Sequence, residues 1–214
     1  MKEKAEKVIE GLMQEFPALQ LCREDIEKAF EMLRKCYSTG GKVLICGNGG
    51  SASDSEHIVG ELMKGFMLKR KLKAGDVDKI KVMFPEDCEY LSGHLQGALQ
   101  AISLVSQTSI SSAFINDVAA DMVFAQQVYG YGRPGDVLIG LSTSGNSKNV
   151  VNAIKVARAF GLVSIGMTGE GGGRMKELCD VTITVPASET YRIQEYHLPV
   201  YHALCAMIEY EFFE

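Results

Sequence analysis

The 214-residue sequence predicts an α/β fold built on a single doubly wound parallel sheet, and three observations carry that prediction. Short, wholly apolar runs recur along the chain, as strands covered on both faces require. The two clearest runs are each followed by a polar, glycine-bearing turn and then by a helical pattern. Strand and helix patterns alternate through most of the chain, the order that crossover helices impose on a parallel sheet.

The first forty residues place apolar side chains at helical spacing: Val8, Ile9, Leu12, Met13 and Phe16, then Ile26, Ala29, Phe30, Leu33 and Tyr37. Pro17 divides this stretch into two helices, and Gly40-Gly41 ends the second. Lys42–Cys46 is the first core strand, Gly47–Gly50 a turn, and Ser51 to about Phe66 a helix carrying Ile58, Leu62 and Met63. The same unit recurs, with Asp136–Leu141 as strand, Ser142–Ser147 as turn and Val150–Phe160 as helix. Val163–Met167 and Val181–Val185 supply two later strands, and about Thr190 to Phe213 forms a long C-terminal helix. Pro199 should kink that helix near His202, because its ring removes an N–H and crowds the preceding turn.

Gln100–Val105 reads as helix or strand; as a strand it completes a five-stranded sheet, with Asp117–Tyr129 as the helix after it. From Met67 to Gly97 the periodicity weakens, and over residues 69–81 Lys69, Arg70, Lys71, Lys73, Lys79 and Lys81 meet only Asp76 and Asp78. This stretch reads as a solvated surface insert, with a basic lid as the alternative. Gly169–Gly173 reads as a simple connection. The organisation expected is one domain over residues 1–214, with a helical pair at 1–40 and the insert at 67–97.

With 46% hydrophobic and 23% charged residues the chain can bury a sizeable core, and no run approaches the roughly 20 apolar residues of a membrane-spanning helix. No secretory leader pattern is visible in the first residues, so a cytoplasmic protein is expected. A net charge of -5 and a pI near 5.5 oppose a dedicated nucleic-acid binder, so any phosphate must be met locally. Six cysteines without a CxxC pair read as buried thiols.

Ligands of open α/β sheets bind beyond the carboxyl ends of the strands, where helices begin with unpaired N–H groups. Both polar turns stand at such places. Ser142, Thr143, Ser144 and Ser147 put four hydroxyls on one turn, and with the N–H groups around Gly145 they can wrap a phosphate monoester without a cation, whereas N-capping needs only one hydroxyl. The GxxxxGK[ST] and GxGxxG spacings are absent, which disfavours nucleotide hydrolysis and hydride transfer. Asn48 and the glycines after it would let the polar groups of a small phosphorylated metabolite approach the backbone. His57 and Glu61 share a helix face, as do Gln194 and His202 to within about 80°, while His197 points elsewhere. Two imidazoles, a carboxylate and an amide oxygen could hold a divalent metal such as zinc; a histidine taken alone is more often a core or surface residue than a ligand.

Gly47-Asn-Gly-Gly-Ser-Ala-Ser-Asp-Ser-Glu-His57 with Glu61, then Ser142-Thr-Ser-Gly-Asn-Ser147, then Arg192-Ile-Gln-Glu-Tyr-His-Leu-Pro-Val-Tyr-His202, resembles the sugar isomerase (SIS) domain and, within it, the phosphoheptose isomerases. The resemblance spans nearly the whole chain. It implies substrate contacts from Asn48, Gly49, Gly50, Ser51, Gln194 and the Asn116-Asp117 pair, and a phosphate held by Ser142, Thr143, Ser144 and Ser147. It implies one zinc ion per subunit on His57, Glu61, Gln194 and His202, with Glu61 as the base at carbon and His202 as the acid at oxygen. The implied reaction turns sedoheptulose 7-phosphate into D-glycero-D-manno-heptose 7-phosphate through an enediol, on the way to nucleotide-activated heptose for surface polysaccharide, and the implied assembly is a homotetramer. The stretch Ser51-Ala52-Ser53 departs from the Ser-His-Cys these enzymes often carry and is similar to noncatalytic SIS proteins. A phosphosugar-binding adaptor that docks on a replication initiator or regulator, and an isomerase of another sugar phosphate, are therefore the alternatives.

Overall fold

Five strands, β1 (Val43–Cys46), β2 (Ala101–Ser103), β3 (Val137–Leu141), β4 (Val163–Thr168) and β5 (Val181–Thr184), form one all-parallel sheet in the order β2-β1-β3-β4-β5. The structure is a computed structural model and describes all 214 residues. Each expected strand is present, and the ambiguous stretch after Gln100 pairs as the edge strand β2, with Val43 opposite Ala101.

Side chains along these strands alternate between two cores. Val43 and Ile45, then Val137, Ile139 and Leu141, then Ile165 and Met167, and finally Val181 and Ile183 enter the larger one. Leu44, Cys46 and Leu138 enter the smaller. Both faces are covered, which is why the strands read as unbroken apolar runs.

Ten helices surround the sheet: α1 (Glu3–Glu15), α2 (Arg23–Ser38), α3 (Gly50–Met63), α4 (Ala74–Met83), α5 (Cys88–His94), α6 (Thr108–Asp117), α7 (Val123–Tyr131), α8 (Lys148–Ala159), α9 (Gly173–Leu178) and α10 (Thr190–Phe213). α1, α2, α3 and α10 supply the larger core, and α7, α8 and α9 the smaller. α10 is continuous through Pro199. The carbonyl that loses its partner at Pro199 belongs to solvent-exposed Glu195, where water can serve it, so the helix runs on past the proline.

Two expectations need correction. The 117–129 helix is displaced: Asp117 ends α6, the chain turns through a 3₁₀ segment at Ala120–Met122, and α7 starts at Val123. No residue of α6 is buried, so it leaves no apolar period in the sequence. The basic insert holds α4 and α5, which likewise bury nothing, but Arg70 is no part of a solvated face. Its side chain is fully buried and bonds Glu209 of α10 at 2.7 Å, Leu62 O at 2.6 Å and Glu61 O at 2.8 Å. The Glu209 carboxylate also accepts from the backbone N–H groups of Phe66, Met67 and Leu68 at 2.6–3.0 Å. This closed network ties the C-terminal end of α3 to α10.

Candidate active site at the strand-order reversal

Strand order reverses between β1 and β3, whose carboxyl ends lie side by side with Cys46 opposite Gly140. The turns that follow them start α3 and α8, so two helix N-termini open onto one crevice. Across it Asn48 and Asn149 exchange two amide hydrogen bonds, Asn48 Nδ2 to Asn149 Oδ1 and Asn149 Nδ2 to Asn48 Oδ1, both 2.9 Å.

The hydroxyl turn is held from within and from below. Ser142, buried, pairs its hydroxyl with that of Ser147 at 2.8 Å, and Gly145 N donates to Ser142 O at 2.9 Å. Ser144 Oγ accepts from Asn146 N at 3.2 Å, and the neighbouring Lys148 is committed to Asp121 at 2.7 Å. Gly145 has φ of +67° and lies so close to the Gly172 carbonyl that a Cβ would collide with it. Gly169 N bonds Thr143 O at 3.0 Å, Met175 N bonds Gly145 O at 3.1 Å and Arg174 N bonds Asn146 Oδ1 at 3.0 Å. The Gly169–Gly173 segment is thus the footing of the turn, not the mere connection its composition suggests.

Across the crevice stand the ionisable groups. On α3, His57 Nε2 lies 3.3 Å from Glu61 Oε1, and Lys64 Nζ lies 3.3 Å from Glu61 Oε2. From α10 the His202 ring meets the His57 ring edge-on, centroids 4.9 Å apart, and its buried Nε2 has no partner. Burial, with the His57 ring behind it, holds His202 below the ordinary histidine range. Gln194, two turns earlier on α10, rests its carboxamide on Gly50, and a Cβ there would strike the amide nitrogen. His57 Nδ1 is 3.0 Å from the hydroxyl of buried Tyr201, which in turn donates to Asp54 Oδ1 at 3.3 Å. Burial and then Asp54 push the Tyr201 phenol up, and burial pushes Asp54 up. His197 points away, as its spacing predicts; it is fully buried, neither ring nitrogen has a hydrogen-bond partner, and burial pushes its pKa down to about 4.

His57, Glu61 and His202 are therefore neighbours, with Gln194 on Gly50 beside the same turn. The orphaned His202 Nε2 and the nitrogen and oxygen donors around it suit zinc in kind. No three histidine, cysteine or carboxylate side chains converge tightly enough to hold a metal by themselves. Asn116 and Asp117 are exposed at the end of α6, bonded to each other at 2.7 Å, and make no hydrogen bond to the other candidates. Asn149 and Tyr201 escape the sequence reading. Tyr201 left a signal, since seven residues from Gln194 put it within about 20° of the same helix face. Asn149 left none, because its partner lies 101 residues away.

A model of the SIS domain matches residues 8–77 and 95–169. The chain is 38% identical over 213 residues to a phosphoheptose isomerase of Akkermansia muciniphila, covering 100% of this chain and 99% of that one. It is 40% identical over 190 residues to one of Campylobacter jejuni, covering 89% of this chain and 88% of the relative. Among solved structures, a phosphoheptose isomerase from Neisseria gonorrhoeae superposes with a TM-score of 0.73 at 35% identity, over 94% of this chain and 93% of that chain. No helix is long and apolar enough to cross a membrane.

Proposed function

The chain belongs to the SIS-domain family, among its phosphoheptose isomerases, and on that premise we propose that it interconverts sedoheptulose 7-phosphate and D-glycero-D-manno-heptose 7-phosphate through an enediol. The observation that carries the reading is the cluster of Glu61, His57 and His202 on α3 and α10, together with a hydroxyl-lined helix N-terminus on the neighbouring strand–turn–helix unit.

The phosphate binds the 142–147 turn, where hydroxyls and N–H groups at the start of α8 meet its charge without a titrating cation. That anchors one end of the sugar and directs C1 and C2 toward α3. Asn48, Gly49, Gly50, Ser51 and Gln194 contact the sugar between the two, and the Asn116-Asp117 pair is the further contact that the family likeness implies. Glu61 takes a proton from C1 of the ketose and returns it to C2. His202 carries a proton from O1 to O2, so atoms and charge balance across the step. Burial favours the neutral imidazole of His202, which can take a proton from O1 and then give it to O2.

Zinc, one ion per subunit, would sit on His57, Glu61, Gln194 and His202 and would supply polarisation of the sugar carbonyl; since a zinc-bound carboxylate is a poor base and a zinc-bound imidazole a poor acid, Glu61 and His202 would do their proton work off the metal. A homotetramer in the cytoplasm completes the proposal. Its support is an apolar groove of about 540 Å³ between α1 and α10, lined by Val8, Leu12, Phe66 and Leu198 and reaching His202.

The test is incubation with sedoheptulose 7-phosphate in deuterated water, followed by NMR. Aldose product carrying deuterium at C2 is the expected result. No turnover, with clear thermal stabilisation by the sugar phosphate, would instead establish a binding protein.

A further inference from the structure

We propose that the buried Arg70–Glu209 pair is a positioning device that sets Glu61 on α3 against His202 on α10. It rests on the reading of those two side chains as the proton-transferring groups of one site.

The last four carbonyls of a helix have no partner within it, and on α3 these include Glu61 O and Leu62 O. The two terminal nitrogens of the Arg70 guanidinium take one each, at 2.8 and 2.6 Å, while Nε donates to Glu209 Oε1 at 2.7 Å. One planar group thus joins two successive carbonyls of α3 to a carboxylate of α10. The Arg70 backbone is fixed as well, because Gly97 N bonds Arg70 O at 2.9 Å where the 71–95 stretch leaves and rejoins the core.

On α10, Glu209 follows His202 by seven residues, which puts the two within about 20° of one helix face. Both therefore meet α3 and the segment after it, His202 at the His57 ring and Glu209 at Arg70. A second route runs through Phe66, whose N–H bonds Glu209 Oε1 at 2.7 Å and whose ring centroid lies 5.6 Å from that of His202. The carboxylate that receives Arg70 also places the ring against which His202 rests.

A buried ion pair is a poor source of stability in itself, since desolvation of two charges offsets most of their attraction. Apolar side chains of similar volume would fill the space at little cost, but they slide on one another. A fully buried guanidinium held at three points does not, and neither side chain has a buried polar atom without a partner. What the pair supplies is a fixed separation of base and acid. Proton transfer along one enediol requires it, because a misplacement of about 1 Å costs up to about 10²-fold in rate.

The test is Arg70→Lys in the full-length protein. The ammonium keeps a cation beside Glu209, but a single nitrogen cannot span the carboxylate and both carbonyls. At a temperature where circular dichroism shows the variant folded, kcat on sedoheptulose 7-phosphate should fall about tenfold, with KM within about twofold of wild type. Leu162→Ala, in the smaller core just before β4 and so at the end of the sheet opposite the site, is the control: it should lower the melting temperature and leave kcat unchanged. Crystal structures of wild type and Arg70→Lys give a readout that needs no sugar, in which Glu61 and His202 should be displaced relative to each other by about 1 Å. Glu209→Asp keeps the charge and shortens the arm by one methylene, and should show the same two effects if Arg70→Lys folds poorly. Undiminished kcat in the folded variant, an equal loss of kcat in Leu162→Ala, or an unmoved Glu61–His202 pair would overturn the proposal. Absence of turnover by the wild type would instead refute the proposed reaction, and the crystallographic comparison would then decide the positioning role alone.

Discussion

The two strand–turn–helix units beside the strand-order reversal, β1 with α3 and β3 with α8, share a backbone plan and differ in side-chain chemistry. The first puts His57 and Glu61 on the helix that follows its turn, supported by Asp54 and faced by His202. The second keeps its turn to hydroxyls, amides and N–H groups, with the cation next to it in sequence, Lys148, paired to Asp121. The difference teaches a division of labour. A phosphate needs donors whose state does not change with pH, whereas proton transfer needs groups whose state does. Separate helices let each set hold its own electrostatic environment, and the Asn48–Asn149 pair keeps the two in register.

The largest effect is expected from Glu61→Gln, which keeps the size of the side chain and removes its basicity. Turnover should fall on the order of 10³-fold while stabilisation by the sugar phosphate persists. Steady-state kinetics beside thermal shift decide it, and activity within tenfold of wild type would remove Glu61 as the base.

Arg70→Met comes next and acts on the fold. It leaves Glu209 buried without its cation, at a cost of about 3 kcal/mol in urea unfolding. Because Arg70 holds the Glu61 and Leu62 carbonyls, hydrogen exchange should rise near the end of α3 and stay unchanged in α8. Equal loosening of both helices would mean the network braces the whole sheet.

Acid should also weaken the side of the molecule that α10 braces. His197 is buried and neutral in the fold, with its pKa pushed down to about 4, while the unfolded chain takes up a proton near 6.5. Its contribution is complete above pH 6.5 and is lost as pH falls toward 4, by roughly 3 kcal/mol in all. His197→Leu should flatten that part of the stability curve, and an unaltered slope would exonerate this residue.

Smaller effects sharpen the contrast. Thr143→Val should raise KM by about tenfold with kcat nearly unchanged, because it deletes one neutral donor to a phosphate. Asn149→Ala should change both parameters, each by about threefold, since it releases the tie between the units. A change in KM alone would show that the tie serves only the phosphate turn.

Most of the sheet and the two polar turns are legible because they rest on local signals: apolar runs, glycine and serine turns, and helical spacing. α4, α5 and α6 are not, since helices that bury no residue leave no period to read. Arg70 looked like one of six cations in a basic stretch, and only its partner 139 residues on reveals it as core. The Gly169–Gly173 loop likewise gains its role from Thr143, Gly145 and Asn146, far behind it in sequence. His57, Glu61, Gln194 and His202 could be named from spacing and motif, but the phenol that joins Asp54 to His57 depends on how α10 crosses α3.

The position of α10 also matters while the protein is being made. α1 and α10 meet in the larger core, with Lys2 N bonded to the Glu211 carboxylate at 2.9 Å and Ile9 and Leu12 packed in the same cluster as Val200, Leu204 and Ile208. On the ribosome, residues 190–213 emerge after everything they cover. Until then the apolar faces of α1, α2 and α3 have no lid, and a nascent chain stopped before residue 190 presents them to whatever is nearby. Gln194 and His202 emerge with the same helix, so a chain too short to shield its core is also one that lacks two of the four candidate site residues His57, Glu61, Gln194 and His202.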